Sequence, residues 1–175
     1  MRSVGDLDHA VFLVHDLDAA EAQFTALGFS PTPRGYHSAH MGTANTTVVL
    51  PDRRTYFELL AVRTPTPANA AQRAWLARRE GLCGLAFKTG DAHAAAAELE
   101  RAGIGAGGAV DFARAVELAD GPRDARFTVA RTSDGATPGA WSFLCRHHTP
   151  GLVWRSDYLD QPNGARALVE VVGGH

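Results

Sequence analysis

The sequence predicts an α+β protein in which two βαβββ units pair into a curved mixed sheet around a cleft. Helices lie on the outside, and an extra strand follows at the C-terminal end. Three observations predict this. The apolar run Leu7-Asp8-His9-Ala10-Val11-Phe12-Leu13-Val14 reads as a strand and is followed at once by a helix signal. The same pair of signals returns at residues 82–103, with Gly103 closing the second helix as Gly28 closes the first, an offset of 75 residues. The unit ends also match: the stretch from Tyr56 to Pro65 and the stretch from Trp141 to Pro150 align at an offset of 85. Two copies of one supersecondary unit can curl their sheets around a shared cleft.

On this reading the first unit spans residues 1–65, a linker helix 66–81, the second unit 82–150, and a C-terminal extension with a strand 151–175. Side chains alternate along a strand. Leu7, His9, Val11 and Leu13 therefore share one face, with His9 polar among apolar neighbours. Ala10, Phe12 and Val14 form an apolar face that should take a helix. Asp18 to Glu21 fits a capping box, and Leu17, Ala20, Phe24 and Leu27 fall on one helical face. Pro31 and Pro33 allow only an edge strand between residues 29 and 36. Residues 37–45 read as a polar loop and residues 46–50 as a strand.

Residues 55–62 form a strong strand with Glu58 at its centre, on the face of Tyr56 and Leu60. Residues 68–79 read as helix anchored by Trp75 and Leu76. Asp91 caps a further helix, in which Ala92, Ala95, Ala96 and Leu99 recur at helical spacing. Residues 111–118 and 127–132 supply the middle strands of the second unit. Trp154 and Tyr158 need somewhere to pack. Residues 165–172 read as a final strand with no evident pairing partner, and an open edge of that kind invites a second copy, so a homodimer is expected.

A formal charge of −2 with mixed signs argues against nucleic acid or an anionic membrane as the main partner. Cys83 and Cys145 sit in apolar strand-like runs and read as buried reduced thiols. The first twenty residues lack the pattern of a signal peptide, and no run has the length of a membrane span. The expected setting is the cytoplasm.

Residues 7–20, Leu27-Gly28-Phe29 and Tyr56-Phe57-Glu58-Leu59-Leu60 resemble the vicinal oxygen chelate superfamily of glyoxalase I, extradiol dioxygenases and bleomycin-resistance proteins. His40 to Asn45 and Gln161-Pro162-Asn163-Gly164 look like its glyoxalase-like domain branch. The resemblance covers nearly the whole chain. It implies that His and Glu from the first and last strands of each unit converge on a divalent metal such as zinc, nickel, manganese or iron, which polarises vicinal oxygens of a substrate. His9 and Glu58 match the ligand positions of the first unit. Gly84 and Phe143 stand at the corresponding positions of the second, and neither side chain binds metal. His148, His40 and His37 are candidates for a third ligand.

Without a metal, His9 and Glu58 would serve as acid and base, or as a buried hydrogen-bonded pair. Tyr56, Trp141 and Phe143 are candidates to line an apolar pocket, and Arg146 to clamp a substrate carboxylate or phosphate. A binding role for Asn45 rests on the resemblance. Two function classes follow. One is a lyase, isomerase or hydrolase acting on a small oxygenated metabolite. The other is a metal-free small-molecule binding protein like the antibiotic-sequestering members. Classical glyoxalase I chemistry is disfavoured, because two of the four ligand positions are lost.

Overall fold

A computed structural model describes residues 3–118 and 121–172. Eight strands form one mixed sheet in the order β2-β3-β4-β1-β5-β8-β7-β6. The strands are β1 (Leu7–Val14), β2 (Gly35–Tyr36), β3 (Thr43–Val49), β4 (Tyr56–Val62), β5 (Gly81–Lys88), β6 (Val110–Val116), β7 (Arg123–Arg131) and β8 (Trp141–His147). The helices are α1 (Leu17–Ala26), α2 (Ala70–Leu76) and α3 (Ala92–Arg101). The sheet curls until its outermost strands, β2 and β6, approach one another.

The repeat read from the sequence is present in the strand register. β1 runs parallel to β4, with His9 beside Tyr56 and Val11 beside Glu58. β5 runs parallel to β8, with Gly84 beside Trp141 and Ala86 beside Phe143. Offsets of 75 and 85 therefore carry His9 onto Gly84, Tyr56 onto Trp141 and Glu58 onto Phe143.

Two helices pack on the outer face, as the apolar faces predicted. Phe12, Val14, Leu59 and Ala61 meet Leu17, Ala20 and Phe24 of α1. Ala95, Ala96 and Leu99 of α3 meet Ala130 and Leu144. The helix α2 departs from the expectation that all helices lie outside. Its Leu76 and Trp75 pack on Val11, Leu13 and Leu60, the inward set of the strands, so it closes one end of the trough. Trp154 and Val153 fill the other end against Val49, Tyr56 and Phe127. Each cluster removes several large apolar side chains from water, the dominant favourable term in folding.

Several local readings are corrected. The cap of α1 is Asp16, whose carboxylate accepts from the Asp18 and Ala19 amides at 2.8 and 3.2 Å. Glu21 is instead engaged by Arg34 and by the Thr46 hydroxyl, so the expected Asp18–Glu21 capping box does not form. The polar loop is shorter than expected, because β3 already begins at Thr43.

The expected C-terminal strand is absent. Residues 165–172 join no ladder and touch the β3–β4 turn through Leu168 N to Thr55 Oγ1 and Asp52 N to Arg166 O. Bonds of this kind to a turn tether the segment without extending the sheet. The homodimer expected at an open strand edge loses that basis. The Gln161-Pro-Asn-Gly164 stretch has a structural task. Asn163 Nδ2 donates to Leu27 O and its amide to Gly28 O, closing the C-terminal end of α1, where Gly28 takes a left-handed φ of +79°. Both cysteines are free and buried. Among the described residues no helix is long and apolar enough to cross a membrane.

Candidate active site

The cavity of about 340 Å³ between the two plugs is lined by inward residues of β1, β3, β4, β6, β7 and β8. His9 stands at its base. The ring lies on Tyr56, with centroids 4.2 Å apart and planes at 19°, and meets the edge of Phe143. Nδ1 is 2.6 Å from Asp8 Oδ1, and Nε2 is 3.7 Å from Glu58 Oε2. Asn45 Nδ2 donates to Glu58 Oε1 at 2.6 Å and fixes that carboxylate.

Strict alternation would send Asp8 and His9 to opposite faces. A bulge prevents it: Leu7 pairs with Phe87 and His9 with Ala86, so two steps on β1 oppose one on β5. Asp8 is the extra residue and is fully buried. Its carboxylate also receives Lys88 Nζ at 2.6 Å and His147 Nε2 at 3.0 Å. Burial alone would raise the Asp8 pKa. Hydrogen bonds from His147 and His9, with their charges, outweigh it and hold the carboxyl well below the usual range. Asp8 is thus an anion at neutral pH. A carboxylate only accepts, so it makes Nδ1 of His9 a donor and turns Nε2 towards Glu58.

His37 lines the cavity, with Nδ1 2.8 Å from Thr43 Oγ1. Burial lowers its pKa, the charge of Glu58 works against that, and the charge of Arg114 works with it. Burial also pushes the Tyr56 phenol and the Cys145 thiol well up, so both stay neutral.

Trp141, Phe143 and Asn45 line the cavity as the sequence suggested. Arg146 does not: it is exposed on the outer face near Ala92 and His93 of α3, so it is no clamp for a ligand in the cleft. His148 lies on that same outer face, bound to Thr128, and His40 is exposed outside the cavity. The parity of β8 explains both. Trp141, Phe143, Cys145 and His147 point inward, so the alternating residues Arg146 and His148 point outward. Sequence reasoning missed Asp8, Lys88, His147 and Arg114. Counting by two from Phe143 would have found His147, whereas nothing in the chain marks the bulge that turns Asp8 inward.

A family model for a glyoxalase-like domain matches residues 7–175. The chain belongs to the glyoxalase-like domain family. No curated protein matches it. Among solved structures, a methylmalonyl-CoA epimerase in complex with methylmalonyl-CoA and NH4+ is 23% identical, with a TM-score of 0.60 over 82% of this chain and 94% of that one. The epimerase of Mycobacterium tuberculosis is 21% identical, with a TM-score of 0.59 over 81% and 87%. A hypothetical protein from Staphylococcus aureus is 14% identical, with a TM-score of 0.67 over 89% and 65%. These likenesses establish the vicinal oxygen chelate fold for this glyoxalase-like chain.

The superfamily implies a divalent metal, and the donor set can be tested for it. Among the described residues, Asp8, His9 and His147 form the one trio of His, Cys, Asp or Glu with ligand atoms within 4.8 Å of one another. The trio does not fit an ion. Two donors about 2.0–2.1 Å from a tetrahedral metal stand roughly 3.3 Å apart. The Asp8–His9 spacing is instead a 2.6 Å hydrogen bond, and the Lys88 ammonium already neutralises the carboxylate. In the cavity, His9 Nε2 and Glu58 have a spacing suited to one ion, yet the second unit offers only Gly84 and Phe143. The Trp141 indole fills the space over Gly84, where a Cβ would collide with its nitrogen.

Proposed function

We propose that the glyoxalase-like cleft catalyses proton transfer at a carbon next to a carbonyl of a small oxygenated metabolite, an isomerase-type reaction that needs no metal. The observation that carries it is the line Asp8–His9–Glu58, in which a buried carboxylate holds Nδ1 and Nε2 faces a second carboxylate inside the cavity. His9 Nε2 removes the proton from carbon, and the C–H electron pair moves into the carbonyl as an enolate. Asp8 stabilises the imidazolium that forms, as a buried carboxylate does for a catalytic histidine. Glu58, held by Asn45, shares that proton and supplies it back to either face or to the neighbouring atom, so composition is conserved. Solved neighbours of like fold include methylmalonyl-CoA epimerases in complex with methylmalonyl-CoA and with 2-nitronate-propionyl-CoA, and epimerisation is the same class of chemistry.

The test is exchange of substrate C–H for deuterium in D2O, followed by NMR over a panel of small carbonyl compounds. Exchange is expected with the native protein and a loss of about 10²–10⁴-fold in His9→Ala and Glu58→Gln. Unchanged exchange in both variants would refute the roles.

A second reading is favoured by the aromatic wall of the second unit. Phe143 and Trp141 stand where donors would be, which suits a module that binds without turnover. Saturable binding of a ligand with no exchange and no product would support it.

A further inference from the structure

The proton-transfer chemistry leaves three charged groups of the cavity unused, Arg114, Arg131 and Asp134; Arg131 and Asp134 are exposed at its rim, and Arg114 is the partly buried one. Arg114 lies on β6 with its neighbour Phe112 also lining the cavity. It is partly buried and shares the cavity with His9, His37, Asn45 and Glu58. Among the described residues its guanidinium makes no hydrogen bond and no ion pair: Glu58 Oε1 is taken by Asn45, and Oε2 faces His9.

Gly35 of β2 makes room for it. A Cβ there would lie 2.9 Å from Arg114 Nη1 and 2.7 Å from Asn45 Oδ1. Arg114 therefore spans the seam between β6 and β2, and its head lies beside the amide that holds Glu58. The Asn45 Oδ1 atom is buried and without a partner. His37 feels Glu58 and Arg114 in opposite senses, so the carboxylate and the guanidinium both act on the space beside it.

A partly desolvated guanidinium without an anion is held at a cost, and its planar fork matches a carboxylate edge to edge. We infer that Arg114 is the substrate-anion clamp of this cavity, which takes a small metabolite carrying a carboxylate that forks onto the guanidinium. The position of the reacting carbon against His9 and Glu58 rests on the proton-transfer reading, whereas the anion site stands on Arg114 alone. Arg114 also offsets the repulsion that Glu58 exerts on an anionic substrate. A cavity of about 340 Å³ is at the small end of ligand pockets, which suits a compact acid.

The experiment titrates the native protein, Arg114→Gln and Arg114→Lys with malonate and succinate, with their neutral diamides and with inorganic phosphate, by calorimetry. Thermal melts confirm that the variants are folded. The dicarboxylates are expected to bind the native protein more tightly than the diamides or phosphate. Arg114→Gln should weaken them by roughly ten- to hundredfold, with Arg114→Lys in between. Dicarboxylate affinity that is absent, or equal in native protein and Arg114→Gln, overturns the clamp. Phosphate binding tighter than the dicarboxylates and dependent on Arg114 overturns the carboxylate assignment. Arg114-dependent binding without any carbon–hydrogen exchange would retire the proton-transfer reading and leave the clamp standing. Exchange of a carboxylated substrate whose KM ignores Arg114→Gln would do the reverse.

Discussion

Asp8 and His9 are chain neighbours on one strand, yet their side chains meet, with Oδ1 and Nδ1 2.6 Å apart in the buried interior. The bulge opposite β5 makes this possible by removing one step of the alternation. The candidate chemistry depends on that single extra residue. It converts an isolated histidine into one whose Nδ1 is held as a donor by a buried anion, and the anion is itself anchored by Lys88 and His147.

Removing the Asp8 charge should therefore cost stability. Asp8→Asn leaves the Lys88 ammonium without its carboxylate, and breaking a buried pair from one side costs about 3–5 kcal/mol. The native protein should also lose stability in acid. The folded pKa of Asp8 lies below its unfolded value of about 3.9, so below that pH the unfolded chain binds a proton that the folded one does not. The stabilisation is present above about pH 5 and falls by up to roughly 1.4 kcal/mol per pH unit below pH 4. Urea unfolding at pH 7, 5, 4 and 3 checks both statements. Asp8→Asn should show a shallower acid slope, and an identical slope would show that the buried carboxylate plays no part.

Gly84 should not tolerate a side chain. A methyl group there meets the Trp141 indole, which is itself packed edge-on against Trp75 at 5.6 Å. Gly84→Ala should lower stability by about 1–3 kcal/mol and shift the tryptophan emission. A neutral or stabilising effect would mean that the indole moves freely, and that the second unit retains an open position opposite His9.

His37 should stay neutral into mild acid. Its folded pKa is depressed below the usual value of about 6.5, first by burial, so protonation favours the unfolded chain. Its contribution is unfavourable as pH falls through about 6.5 towards the folded value, and stability rises again with pH across that window. The ring resonances of His37, followed by NMR, should titrate with a midpoint below 6.5, and His37→Phe should flatten the stability curve there. A midpoint at or above that of a free histidine would contradict the burial argument.

The fold was legible because it is written in period-two and helical patterns repeated at fixed offsets. Phe12 with Phe87, and Gly28 with Gly103, mark equivalent points of two units, and the register of Gly84 with Trp141 follows that of His9 with Tyr56. His9 and Glu58 were legible for the same reason, since each is a lone polar side chain on the inward face of a strand. Asp8 was not, because a bulge is set by how two strands accommodate one another and leaves no mark in either alone. Arg146 and His148 were misplaced by one step of alternation, and on a strand one step reverses the face. Arg114 was hidden because its role comes from the curl that brings β6 to β2, which joins residues far apart in the chain. The strand expected at residues 165–172 read well by composition, yet found no edge to join.

In the proposed chemistry Asp8, His9 and Glu58 move a proton without a metal. The direct measurement is deuterium incorporation next to the carbonyl of small keto and acyl carboxylates, using protein stripped with a chelator and confirmed metal-free by elemental analysis. Exchange is expected at the same rate before and after stripping, lost in His9→Ala and Glu58→Gln and reduced in Asp8→Asn. Exchange that vanishes on stripping and returns with zinc, nickel, manganese or iron would contradict that chemistry and make His9 and Glu58 metal ligands.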